Sequence, residues 1–229
     1  MWKDYRMNRL IVFLAVFLVV LPHVICLIVS IYKTIHYGQK FAPFSVYLCE
    51  NLMASSMVSL LISLIVFAFI GGNAIAGERA DRSAEFLAYL PISRGRIITS
   101  KLLVVFFVIA FIWLVNFSIL GICASVIFQQ IDPTPARNFL QTITEGMASH
   151  LILGLTLFAI AWFCSSFLES PTFSICLGLL TPLFLAALWF TGNHVQERTL
   201  LTWLFGVYIT LALICFPAGT WYYLRRVEP

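Results

Sequence analysis

Residues 77–101 read GERADRSAEFLAYLPISRGRIITSK. Five charged residues, Glu78, Arg79, Asp81, Arg82 and Glu85, fall within the opening GERADRSAEF. Long apolar runs lie on both sides, so the stretch reads as a loop at a membrane face. Phe86, Leu87 and Leu90 follow the charges at helical spacing, and Pro91 stops the run. That pattern predicts a short amphipathic helix. Ser93 is then a candidate N-cap for the next helix. A charged and partly apolar helix on the soluble side suits docking onto a soluble partner. The plainer reading is a solvated loop whose arginines only set topology.

Composition places the rest of the chain in lipid. Of 229 residues, 61% are hydrophobic and 10% charged, and the mean hydropathy is +0.97. Soluble domains carry about a quarter charged residues. Each membrane span needs about 20 apolar residues. The expected fold is therefore an all-α integral membrane protein, one transmembrane domain over 1–229. Six transmembrane helices are expected at about 10–32, 45–75, 97–128, 147–167, 172–190 and 200–224, with a cytoplasmic segment at 77–96. With both termini placed inside, ten of the fourteen Lys and Arg residues fall on the inner side. Because Lys and Arg bias loops toward the cytoplasm, this orientation is the expected one. The net charge of +4 is spread over membrane flanks and does not indicate nucleic acid.

Taken in order, the chain starts with MWKDYRMNR, a basic interfacial segment. The apolar run after it continues past Pro22 with no small-residue cleavage site, so it reads as a retained span and not a signal peptide. Asn51, Ser55, Ser59 and Ser63 recur at four-residue intervals on the second span, below Glu50. One helix face therefore carries a stripe of small polar groups. The stripe reads either as a packing seam, where small residues let backbones approach, or as the lining of a substrate path. Asn116 on the third span has the same two readings. Gly71 and Gly72 are expected to end the second span flexibly. The outer loop 129–148 is expected to hold a short interfacial helix from Thr134-Pro135 through Phe139, Leu140 and Ile143. A tight inner turn is expected at 168–171, and Pro182 is expected to kink the fifth span. His23 lies inside the first span, where a neighbouring helix is expected to satisfy it.

Chemistry-bearing motifs are sparse. The chain has no Walker A loop, no GxSxG elbow and no HExxH pair. Hence no enzymatic activity and no cofactor of its own is expected. Glu145 and His150, with no third partner, are a weak metal signal, and with Glu50 they frame an intramembrane-enzyme reading. The six cysteines lie in or beside apolar runs without CxxC spacing, so neither zinc nor a disulfide framework is indicated.

The order of features around the loop resembles the membrane subunits of type-2 ABC transporters: Gly77-Glu78-Arg79, a short acidic and apolar helix, Leu90-Pro91-Ile92-Ser93-Arg94-Gly95-Arg96, then Lys101 opening a span. The likeness covers the loop well and the six-span plan loosely. It implies that the loop is a coupling helix seated in a cleft of a separate ATPase subunit, where ATP and magnesium bind. Glu78, Arg79, Asp81, Arg82 and Glu85 would then pair with ATPase charges. Phe86, Leu87 and Leu90 would fill an apolar cleft. The N-terminal segment would correspond to a short elbow helix along the inner surface. A second permease subunit, identical or homologous, would complete a pathway in the prokaryotic cytoplasmic membrane. Almost uncharged spans suit an amphipathic or lipid-like cargo, moved outward in most of the family. The competing reading is a non-transporting anchor or regulatory module that uses the loop only to bind a partner.

Overall fold

A computed structural model describes residues 2–37, 44–80, 93–128, 133–192 and 197–225. Among these residues all regular structure is helical: α1 Trp2–Tyr37, α2 Phe44–Ala80, α3 Arg94–Phe128, α4 Pro133–Phe167, α5 Pro171–Gly192 and α6 Glu197–Arg225. In hydrocarbon every backbone N–H and C=O must be satisfied within its own segment, and a helix does this. Five of the helices are long and apolar enough to cross a membrane. In α5 the described side chains form an apolar stretch over Pro171–Ala187. The chain is thus a multi-pass membrane protein.

Several helices are longer than their apolar cores require. α2 has 37 residues, which at 1.5 Å per residue is about 55 Å against a hydrocarbon thickness of about 30 Å. Its last turn, Gly77–Ala80, is therefore helix and not loop. Three further expectations are corrected. Residues 2–9 continue into α1 without a break, so the basic start is not a separate interfacial element. The helix expected in the outer loop merges with the fourth span, because Pro133 and Pro135 sit in the first turn of α4, where missing N–H groups cost nothing. Gly71 and Gly72 lie inside α2 rather than at a flexible end. Pro182 is accommodated within a continuous α5.

The helix starts have local causes. Ser93 precedes α3, and its carbonyl accepts from Arg96 N at 2.9 Å and Ile97 N at 3.4 Å. Ser170-Pro171 opens α5: the Ser170 hydroxyl meets Phe173 N at 3.5 Å, and proline takes the first helical position.

The chain divides into two compact units, Met1–Ser63 with Phe107–Ala148, and Leu64–Phe106 with Ser149–Pro229. In the first, Cys49 and Cys123 are buried with Leu52, Met53, Ile119 and Val126 against them. A neighbouring cluster joins Leu120, Ile143 and Met147 to Met53 and Trp113. In the second, the centre is the buried run of α4, where Ala161 and Trp162 are fully enclosed. Trp162 packs on Phe158 and Phe216 with ring centroids 5.7 and 5.9 Å apart, and its Nε1 donates to Thr220 Oγ1 at 3.3 Å. Tyr208 Oη donates to the Pro182 carbonyl at 2.9 Å, tying α6 to α5.

The helices differ in burial. The apolar cores of α4 and α2 are 56% and 44% buried, those of α1 and α6 only 17%. Large side chains such as Phe13, Phe17, Phe106, Phe107, Leu213 and Ile214 are exposed, as suits a surface whose solvent is lipid.

Candidate functional site

The first group of polar residues gathers in the second unit, at the base of the charged loop. Asp81, Arg82, Glu85, Phe86, Leu87 and Leu90, named above for partner docking, lie outside the described residues. The two that precede them do not. Glu78, on the last turn of α2, pairs with Lys101 on α3, Oε2 to Nζ at 2.7 Å, with side chains only 14% and 10% exposed. The same ammonium donates to the carbonyl of Ala74. One turn of α2 thus offers Lys101 a carboxylate and a backbone oxygen together.

Arg79, adjacent to Glu78, turns to another helix. Its guanidinium donates to the Ser166 carbonyl at 2.6 Å. Ser166 is in the last turn of α4, whose terminal carbonyls have no helical partner and carry partial negative charge. Nearby, Leu168 N meets the Cys164 carbonyl at 2.9 Å, so a second terminal carbonyl of α4 is also satisfied. Glu78 and Arg79 therefore join the end of α2, just before residues 81–92, to α3 and to α4. Their charges are engaged by the chain's own fold.

Lys101 is the residue that sequence reasoning undervalued. In the sequence it reads only as the opening of a span. A cation about two turns inside a helix that is apolar beyond it needs a partner; that need was legible, but its partner was not.

Close packing supports this region. A Cβ added at Gly71 would lie 2.7 Å from the Phe158 carbonyl oxygen, and one at Gly72 would lie 2.6 Å from Ile175 Cγ1. Both glycines therefore allow α2 to approach α4 and α5.

The second group lies in the first unit and contains the serine stripe. Ser55, Ser59 and Ser63 are buried, and Asn51 is half-buried. Asn51 Nδ2 donates to the Tyr47 carbonyl at 2.8 Å. Ser63 Oγ donates to the Leu60 carbonyl at 2.7 Å. Ser59 Oγ crosses to α1, donating to the Val19 carbonyl at 2.9 Å. Asn116 Nδ2 reaches Ser59 Oγ at 3.2 Å and the Ile112 carbonyl at 2.9 Å. His23 Nδ1 meets Ser55 Oγ at 2.8 Å. So α1, α2 and α3 are joined by one polar seam, and His23 is the member that the four-residue spacing gave no reason to include.

The remaining candidates are not brought together. Glu50 is exposed. Glu145 is also exposed and accepts from Gln141 Nε2 at 2.8 Å. His150 is buried, with its ring centroid 6.0 Å from that of Phe67. Among the described residues, no three His, Cys, Asp or Glu side chains are placed to hold a metal ion.

Comparison with known proteins gives one finding. The family described as ABC-2 family transporter protein matches residues 2–184, from α1 into α5. No curated protein and no solved structure matches the chain.

Proposed function

The chain belongs to the ABC-2 family of transporter proteins, and from that premise we propose that it is the permease subunit of an ATP-driven exporter in a prokaryotic cytoplasmic membrane. It pairs there with a second permease, identical or homologous, and with separate ATPase subunits that bind ATP and magnesium. All six helices span the membrane, with both termini cytoplasmic. The excess of Lys and Arg on the inner side supports that orientation.

One observation supports the coupling role: just before residues 81–92, Glu78 and Arg79 tie the end of α2 to Lys101 on α3 and to Ser166 on α4. A push on the loop then reaches α2, α3 and α4 together. In this reading Glu78 and Arg79 stiffen the base of the coupling segment 77–96. Asp81, Arg82 and Glu85 meet charges on the ATPase, and Phe86, Leu87 and Leu90 enter its cleft, the kind of apolar anchor that dominates interface energy. The cargo is amphipathic or lipid-like, because the spans carry almost no charge. The stripe Asn51, Ser55, Ser59 and Ser63 with Asn116 holds the wall of its path together.

The test is affinity purification of the permease from its native membrane in mild detergent, followed by an ATPase assay. A nucleotide-binding subunit should co-purify. Phe86→Asp should reduce its yield at least tenfold while membrane insertion is unchanged. Normal complex yield from that variant would remove the docking role. ATP-dependent movement of cargo in vesicles separates a transporter from an anchor that uses the loop only for assembly.

A further inference from the structure

Sulphur gathers at one place in the first unit. Cys49 on α2 and Cys123 on α3 are 7% and 1% exposed. Both are free thiols, and they meet in a side-chain hydrogen bond. Met53 stands one turn from Cys49 on the same face of α2 and packs against this pair. It also touches the neighbouring cluster of Leu120, Ile143 and Met147, so its thioether is held from two sides. The other neighbours of the pair, Leu52, Ile119 and Val126, bring only hydrocarbon side chains. Cys26 on α1 is near enough to interact electrostatically with Cys123, yet it does not complete a three-cysteine ion site. Cys49 lies in the second turn of α2, and Cys123 lies five residues before the end of α3 at Phe128. The pair is therefore about 8 Å inside those helix ends, close to one membrane face.

As packing, these side chains have no advantage over Leu or Val. As donors they share one chemical character. Thiolate and thioether are soft ligands that select copper(I). The oxygen ligands that hard cations require are missing from the side chains of this cluster, and the thioether is not a zinc ligand. We propose that Cys49, Cys123 and Met53 form a binding site for a soft monovalent cation, copper(I) or its analogue silver(I). A thiol must lose its proton to bind a metal. A monovalent cation that replaces one thiol proton leaves the buried charge at zero, which an apolar interior requires. The released proton goes to water at the nearby membrane face. Sequence spacing showed no metal motif because the two thiols come from different helices and the third donor is a methionine. The site is independent of the docking role given to residues 77–96.

The experiment is titration of the whole reduced protein in detergent, under argon, with copper(I) buffered by bathocuproine disulfonate. The chelator's colour falls as copper passes to the protein. One copper per chain should bind that Cys49→Ala and Cys123→Ala each lose. Cys164→Ala, which removes a buried thiol of the second unit, should retain it. X-ray absorption of the protein loaded with one equivalent should show a shell of sulphur alone. Met53→Leu should remove one sulphur from that shell and weaken binding about tenfold or more, at least the loss that follows removal of an outer partner of a metal ligand. If Cys123→Ala does not assemble, Cys49→Ala and the spectrum of the unaltered protein decide. Equal copper in Cys49→Ala and the unaltered chain, loss of the copper with Cys164→Ala, or nitrogen or oxygen in the shell overturns the proposal.

Discussion

Lys101 would be a liability in an apolar helix if α2 did not meet it with Glu78 and the Ala74 carbonyl. Removing one member of a nearly buried pair leaves the other charge without compensation, which costs more than the pair itself contributes. Lys101→Met should therefore destabilise the protein by about 3 kcal/mol. Lys101→Met combined with Glu78→Gln should recover most of the loss. Thermal unfolding of the complex in detergent measures both, and equal losses in the single and double variants would show that the pair is not coupled. Both residues stand in the quoted loop sequence, so their charges were legible from the start. That they face each other was not, because residues 23 positions apart (78 and 101) meet only through the path the chain takes between them.

At the scale of elements, α2 and α4 organise the second unit, and their contact depends on Gly71. Gly71→Leu should force the Phe158 backbone away and cost about 1–3 kcal/mol, the usual penalty of overpacking. Gly121→Ala, where an added Cβ meets nothing within 4 Å, should be neutral or stabilise by up to about 1 kcal/mol through helix propensity. Denaturation midpoints of the two variants test this; similar values would mean that Gly71 is not a packing position. Periodicity and hydropathy had shown where the helices are. They misplaced the ends because glycine inside a helix and glycine after one look alike in sequence, as do prolines in a first turn and prolines in a loop. The serine stripe was also visible, whereas its partners Val19 and His23 on α1 came only with the fold.

For the whole molecule, the proposed assembly has two permeases and two ATPases, so native mass spectrometry of the purified complex should give that stoichiometry. A reporter fused after Pro229 should remain cytoplasmic, and one inserted at 193–196 should face outward. Opposite results would invert the topology and place residues 81–92 away from ATP. What the sequence alone determined is the solvent: 61% hydrophobic residues and 10% charged leave no alternative to lipid-embedded helices, since burial of apolar area is proportional to composition and indifferent to partners. It also located the charged loop and the family likeness. Which groups meet was decided only in three dimensions. Hydrogen bonds and ion pairs are short and directional, so Glu78 with Lys101, Arg79 with Ser166, and His23 with Ser55 depend on helix ends and rotations that hydropathy does not encode.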